Sequence, residues 1–230
     1  MDTKVLSLGG SIVAPDNVDI DFLKLLKERI GEYLEEDGSR RLIMVIGGGA
    51  PARRYQNALA ALAADAPPEQ ADQVGIAATR LNGELLRGVF IAYVHDPLVT
   101  DPTADFEFTG RMLIGAGWKP GFSTDFDAVC LAERFGAASV INLSNIRKVY
   151  DADPAGNPSA KPLDTISWAA YREMVGEKWT PGANSPFDPV AAGKARELKL
   201  RVIVASGRNL DTVDAILRDE PFEGTVIGPD

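Results

Sequence analysis

The chain has 230 residues, of which 45% are hydrophobic and 25% are charged, a composition typical of a globular protein with one sizeable core. Its 33 acidic residues outnumber its 24 basic ones, and the net charge of −9 argues against general binding to nucleic acids or anionic membranes. One cysteine, Cys130, and one histidine, His95, exclude an internal disulfide, a cysteine-rich metal site and zinc chemistry based on a histidine cluster.

Hydrophobic periodicity predicts alternating strands and helices along the whole chain. The predicted elements are strands at 4–8, 42–46, 91–94, 112–114, 139–143, 202–205 and 225–227, and helices at 19–34, 50–64, 69–86, 127–135, 167–175, 189–198 and 211–217. We predict an irregular excursion at residues 151–162 and a mobile loop at residues 176–186. The alternation predicts one α/β domain over residues 1–230, with an open, largely parallel central sheet covered by helices on both faces.

The most informative stretch is an apolar strand that runs into three glycines and then into a helix. Glycines at 47–49 let the backbone turn sharply and approach a ligand closely. The helix that follows offers unpaired N–H groups at its start, and Arg53 and Arg54 add two positive charges. The pattern favours an anion site, most plausibly for phosphate, although a tight turn with two solvated arginines has the same sequence.

A dinucleotide fingerprint also fits these residues, with Ala52 in its last position. That fold needs a second strand within a unit of ~30 residues, ending in an acidic residue that holds ribose. Two helices follow here instead, which argues against a nicotinamide or flavin site.

A second glycine turn, Gly9-Gly10-Ser11, follows the first predicted strand. In an open parallel sheet, ligands collect beyond the carboxyl ends of the strands, so two glycine turns could hold two phosphate groups that face one another. The sequence contains no P-loop and no protein-kinase signature.

Six segments together resemble the amino acid kinase superfamily and, within it, uridylate (UMP) kinases of the bacterial and archaeal type. Each segment alone is weak, but all six occur in the same order and at compatible spacing, over essentially the whole chain. They are residues 9–11, 47–54, 71–82, 122–125, 145–154 and 187–192.

The resemblance implies transfer of the γ-phosphoryl group of ATP to UMP, with Mg²⁺ held mainly by the ATP phosphates and no metal ligand from the protein. It implies an acceptor-nucleotide part at roughly 1–135, an ATP-binding part at roughly 136–230 and a homo-oligomer, expected to be a hexamer. A cytoplasmic location is the default expectation, because no charged segment with an apolar core opens the sequence. We expect no nucleic-acid partner because of the net negative charge. We expect no membrane partner because no apolar run approaches 18 residues.

Site residues are carried over where this sequence matches the motifs of the family. The transferring phosphates would be faced by Gly9, Gly10 and Ser11, and Lys148, which departs from the motif, is added as a catalytic residue by hypothesis. UMP would be bound by Gly48, Gly49, Arg53, Asp72, Ser123 and Thr124. ATP would be bound by Asn145, Tyr150, Asp153 and Asp188. Several of these residue types also have a purely structural interpretation, because a carboxylate or hydroxyl at the start of a helix caps it.

Two departures from the family pattern lie on the side of the ATP. Ser7 stands where the family often has a lysine, and Arg147-Lys148 replaces a segment that usually carries an acidic residue. We hypothesise that Lys148, Arg147, Lys119 or Lys194 supplies the missing positive charge, although each is individually typical of a solvated surface.

Two other functions remain open from the sequence. One is a kinase for another small acid or phosphate, such as acetylglutamate or isopentenyl phosphate. The single histidine lies outside the glycine turns, which weakens the isopentenyl phosphate alternative. The other is a protein that binds nucleotides or oxyanions without turnover.

Overall fold

The computed structural model describes residues 2–154, 156–176 and 185–228. The strands are β1 (Asp2–Leu8), β2 (Arg40–Ile46), β3 (Met112–Gly115), β4 (Ser139–Ser144), β5 (Thr165–Ile166), β6 (Arg201–Ser206) and β7 (Thr225–Ile227). The helices are α1 (Gly10–Val13), α2 (Ile20–Glu36), α3 (Gly49–Leu62), α4 (Pro68–Val89), α5 (Thr124–Phe135), α6 (Trp168–Val175), α7 (Pro189–Glu197) and α8 (Leu210–Leu217).

The strands form one sheet in the order β3-β2-β1-β4-β6-β7-β5. All neighbouring pairs are parallel except β6 and β7, which are antiparallel. Buried strands with near-continuous apolar sequences are expected in a parallel sheet, because helices cover both of its faces.

Each face of the sheet carries its own apolar cluster. On one face, side chains of α2 and α8 pack against β1 and β2. On the other face, α5, α6 and α7 pack together over the sheet. The predicted α/β fold with a largely parallel sheet covered on both faces is therefore confirmed.

The predicted strand at 91–94 is wrong. The chain leaves α4 through a turn there, Ile91 is 70% exposed, and only a single bridge joins Val94 to Met112. Four apolar residues are too few to distinguish a strand from a helix end by periodicity. The sequence does not predict α1 and β5, because elements of 4 and 2 residues are too short to show a periodicity. Of the predicted mobile loop at 176–186, residues 177–184 lie outside the described ranges.

Within the described ranges, no helix is both long enough and apolar enough to cross a bilayer.

Candidate active site

The two glycine turns lie in direct contact at the carboxyl edge of the sheet. β1 and β2 pair in parallel with Leu8 opposite Ile46, so the turns that follow them leave the sheet side by side. A Cβ on Gly10 would lie 2.1 Å from the Gly49 nitrogen. Gly49 has a φ of +66°, in the left-handed region that favours glycine. The predicted meeting of the two turns is thus present, and no side chain could stand between them.

The strand order of the sheet reverses between β1 and β4, which is where an open α/β sheet has its crevice. The Gly9 N–H donates to the Leu143 carbonyl at 2.8 Å, which joins the first glycine turn to the end of β4. The helices that follow these two strands lie on opposite faces of the sheet, since α2 belongs to one apolar cluster and α6 to the other. Such a switch point is where open α/β sheets bind ligands.

The start of α3 presents its backbone to this crevice. Gly48 is the N-terminal cap residue and supplies no side-chain hydrogen bond. Arg53 is exposed on this helix and makes no hydrogen bond or ion pair with any residue that the structure describes, whereas Arg54 pairs with Asp16. Of the two arginines, Arg53 is therefore the one available to an anion at the helix start.

Helix α4 hydrogen-bonds the backbone of two loops at the carboxyl edge of the sheet. Asn82 donates through Nδ2 to the carbonyls of Gly47 and Gly48, at 2.9 Å and 3.2 Å. Near the start of the helix, Asp72 accepts a 2.9 Å hydrogen bond from the backbone N–H of Gly121, in the loop between β3 and α5. The structure thus places Asp72 beside the loop that leads to Ser123 and Thr124, and its role in binding UMP stays a prediction.

Helix α5 begins at the same edge of the sheet. Ser123 caps it by accepting from the Phe126 N–H at 3.3 Å, and Thr124 is its first residue. The next residue, Asp125, accepts from the Ser7 hydroxyl at 2.7 Å and from the Asp188 N–H at 3.2 Å. Asp125 therefore connects the strand before the first glycine turn with the start of α7.

Burial raises the pKa values of the carboxyl groups here. Although Asp125 as a whole residue is half-buried, desolvation of its carboxyl group raises the pKa to about 6, against the two hydrogen bonds, which lower it. Desolvation likewise raises the pKa of Asp127 to about 7, and the nearby charge of Asp125 adds to the shift. Desolvation also raises the pKa of Asp188. Of these three carboxyl groups, that of Asp125 contacts position 7, which is Ser7 in this chain.

The residues predicted to bind ATP are spread along the connection after β4 and at the start of α7. Asn145 is exposed directly after β4, and Tyr150 forms a bridge with Pro162. Asp153 is exposed further out, and its carbonyl accepts from the Asn157 N–H at 2.8 Å. Asp188 caps α7 through a 2.7 Å hydrogen bond from the Ala191 N–H. Hydrogen bonds thus link Asp188 through Asp125 to Ser7, two residues before the first glycine turn. Asp153, in contrast, lies in an exposed loop.

The four basic residues considered as substitutes for the lysine differ in their contacts. Lys148 pairs with Asp164, Arg147 with Glu223 at 3.4 Å, and Lys194 with Glu133 at 2.6 Å. Lys119 instead lies with its Nζ 3.7 Å from the ring centroid of Trp118. The role of Lys148 in catalysis stays a prediction.

Sequence reasoning missed Ser7 as a partner of Asp125, and it missed the two side chains Thr79 and Asn82 that hold the loops. A polar residue on the buried face of an amphipathic helix was the available signal for the last two, since both are buried in α4.

Comparison with known proteins agrees with this geometry. Residues 2–206 match the profile described as the amino acid kinase family. The chain belongs to the amino acid kinase family. A curated relative named uridylate kinase, from Methanospirillum hungatei, is 35% identical over 99% of this chain and 95% of its own length. Another uridylate kinase, from Thermoplasma acidophilum, is 32% identical over 98% of this chain and 96% of its own.

Solved structures of the amino acid kinase fold superpose over the full chain. A uridylate kinase from Archaeoglobus fulgidus is 30% identical and covers 99% of this chain and 100% of its own, with a TM-score of 0.83. A UMP kinase from Bacillus anthracis, 20% identical, covers 100% of this chain and 96% of its own with a TM-score of 0.81, and it shares the fold. The resemblance predicted from six short segments is confirmed.

Proposed function

We propose that the chain transfers the γ-phosphoryl group of ATP to UMP, giving ADP and UDP. The observation that carries this proposal is the contact between two glycine turns at one edge of the sheet, beside a helix start and Arg53, which has no partner among the residues that the structure describes. Relatives named uridylate kinase that match almost the whole chain support UMP as the acceptor.

On the acceptor side, Gly48, Gly49 and Arg53 would bind the phosphate of UMP through backbone N–H groups and a guanidinium. Asp72 would accept a hydrogen bond from a ribose hydroxyl, because the Gly121 N–H engages only one of its oxygens, Oδ2. Ser123 and Thr124, at the start of α5, would contact the uridylate.

For transfer, an oxygen of the UMP phosphate attacks the γ-phosphorus of ATP, and the bond from that phosphorus to the β-phosphate oxygen breaks. The catalysis of such a step is mostly positioning and neutralisation of charge. Gly9, Gly10 and Ser11 would face the transferring group. The two turns are in contact through their backbones, and a Cβ on Gly10 or Gly49 would clash with the other turn. Lys148 would add positive charge after release from Asp164.

The ATP would lie against the part formed by residues 136–230, contacting Asn145, Tyr150, Asp153 and Asp188. No group of three or more acidic, histidine or cysteine side chains that could hold a metal occurs among the described residues. We propose that Mg²⁺ is bound chiefly by the ATP phosphates, because few-ligand sites completed by substrate phosphates are usual for that ion.

We further propose that the enzyme serves pyrimidine nucleotide synthesis in the cytoplasm as a homo-oligomer, with a hexamer expected from the family.

A coupled assay of ADP release with ATP and Mg²⁺ tests the function, comparing UMP, CMP, acetylglutamate and no acceptor. We expect turnover that depends on UMP. Turnover with acetylglutamate alone would assign a different acceptor. Binding of UMP without turnover for any acceptor would indicate a nucleotide-binding protein that has lost its chemistry.

The role of Arg53 is tested in the same assay by Arg53→Ala. Loss of a charged hydrogen bond to the phosphate should raise the KM for UMP by about 10- to 100-fold and leave the KM for ATP nearly unchanged. Arg54→Ala is the matched control, since the Arg54 guanidinium is paired with Asp16. Equal effects of the two substitutions would contradict a specific role of Arg53.

A further inference from the structure

The loop between β3 and α5 carries aromatic side chains that the roles described so far do not use. The ring centroids of Trp118 and Phe122 are 5.1 Å apart, and those of Phe122 and Phe126 are 4.6 Å apart. Lys119 lies over the ring of Trp118. We call Trp118, Lys119, Phe122 and Phe126 the aromatic cluster. Its three rings are only half-buried, so they keep surface that is open to solvent.

Three contacts hold Trp118 in place before any ligand binds. Its backbone N–H donates to Asp127 Oδ2 at 3.2 Å, and its carbonyl accepts from Arg80 Nη2 at 3.0 Å. Its indole N–H also interacts with Asp101, an interaction that contributes to lowering the pKa of that carboxyl group. An aromatic ring that is already immobilised loses little conformational entropy when a ligand stacks on it.

The aromatic cluster adjoins the turn proposed to bind the acceptor phosphate. The Gly117 N–H donates to Thr79 Oγ1 at 2.8 Å. The methyl group of the same Thr79 would lie 3.6 Å from a Cβ on Gly48. One side chain therefore touches both the phosphate turn and the residue before Trp118. The loop is also joined to Asp72 through Gly121, on the side proposed to bind the ribose.

We propose that the base of the acceptor nucleotide stacks on Trp118, so that the aromatic cluster selects acceptors that carry a planar base. This inference rests on the proposed function, because it takes the phosphate of the acceptor to lie at Gly48 and Gly49. Stacking on an aromatic side chain tolerates any base, since every base has a π-face. The cluster therefore distinguishes a nucleotide from a sugar phosphate, and not one pyrimidine from another.

Lys119 does not prevent this arrangement. Its ammonium lies over the Trp118 ring, and Lys119 is exposed to solvent. Cation–π contacts at exposed sites are weak, so an incoming base displaces the ammonium readily.

The test is calorimetric titration of the full chain with UMP and, separately, with ribose 5-phosphate, which lacks the base. Trp118→Ala should raise the Kd for UMP by about 5- to 100-fold and leave the Kd for ribose 5-phosphate unchanged. Trp118→Phe should keep most of the affinity for UMP, because it preserves an aromatic face. Tyr55→Ala removes a ring that is 70% exposed on α3 and is the matched control, expected to bind both ligands as the wild type does.

Two results would overturn this inference alone. One is unchanged affinity of the alanine variant for UMP, and the other is an equal loss of affinity for both ligands, which would indicate that Trp118 only shapes the loop. Absence of any UMP binding to the wild-type chain would overturn the proposed function as well. Binding in these titrations is measured without turnover, so a catalytically silent chain still gives an answer.

Discussion

At the scale of single residues, the buried carboxyl group of Asp127 is the clearest departure from what folding alone would favour. The residue is 1% exposed, its Oδ2 accepts from the Trp118 N–H, and its Oδ1 has no hydrogen-bond partner among the described residues. Burying a carboxylate with an unsatisfied oxygen disfavours its charged form. Asp127 thus lowers stability at neutral pH while it positions the loop that carries Trp118.

This conflict predicts a pH dependence of the free energy of unfolding. The pKa of Asp127 in the folded chain, about 7, lies above its ordinary value of 3.8, so the folded state binds the proton more tightly than the unfolded state. The contribution of this group to stability is therefore complete below about pH 4 and is lost as the pH rises toward 7. Asp127→Asn should leave stability at pH 4 nearly unchanged and raise it at pH 8 by about 4 kcal/mol, which corresponds to the shift from 3.8 to about 7.

Urea denaturation of the wild type and the Asp127→Asn variant between pH 4 and pH 8 measures this difference. Asp65→Asn, on the exposed connection between α3 and α4, is the control, and its pH profile should match that of the wild type. A constant offset between the Asp127→Asn variant and the wild type at every pH would show that the carboxyl group does not titrate in this range.

The sequence could predict that two glycine turns and Arg53 belong to the candidate site, because such a prediction needs only local backbone geometry and charge. It could not predict the network of Ser7, Asp125 and Asp188. These residues are far apart in the chain, and they meet only because β1, α5 and α7 converge.

At the scale of secondary structure elements, α4 acts as the support of the acceptor side. Its residues Asp72, Thr79, Arg80 and Asn82 each hydrogen-bond backbone of one of the two loops at the edge of the sheet. A rigid helix can hold such loops more accurately than the loops can hold themselves. The sequence predicted this helix well from its periodicity, but not the direction in which its polar side chains point.

Asn82→Ala tests this support. Removal of the amide takes its donor from the Gly47 carbonyl and leaves the Gly48 carbonyl with only the 3.4 Å bond from the Ala52 N–H, which should lower stability by about 1–3 kcal/mol. The looser phosphate turn should raise the KM for UMP more than the KM for ATP. Gln73→Ala, at an exposed position of the same helix, is the matched control for thermal denaturation and for kinetics. A parallel rise in both KM values would argue against a local effect on the acceptor turn.

At the scale of the whole molecule, the two proposed substrate-binding parts share one sheet. β1, from the acceptor part, pairs with β2 on one side and with β4, from the ATP-binding part, on the other. Each of the two apolar clusters contains side chains from both parts. A division of labour between residues 1–135 and 136–230 is therefore compatible with one folding unit, which the alternation of elements in the sequence already predicted.

This continuity predicts that both parts unfold in a single cooperative transition. The variant Trp118→Phe makes the measurement possible, because its two remaining tryptophans, Trp168 and Trp179, both belong to residues 136–230. Tryptophan fluorescence then follows the ATP-binding part alone. Far-UV circular dichroism mainly follows the acceptor part, which contains the long helices α2, α3, α4 and α5, of 17, 14, 22 and 12 residues.

The two signals should give superimposable urea denaturation curves with one midpoint, because separation of the parts would expose the edge of β1 and open both apolar clusters. A fluorescence transition displaced from the dichroism transition would show instead that the ATP-binding part unfolds independently. Saturating UMP provides a second comparison. In a single folding unit, a ligand bound to the acceptor part must raise the midpoint of both signals equally, since it stabilises the one native state from which both parts unfold.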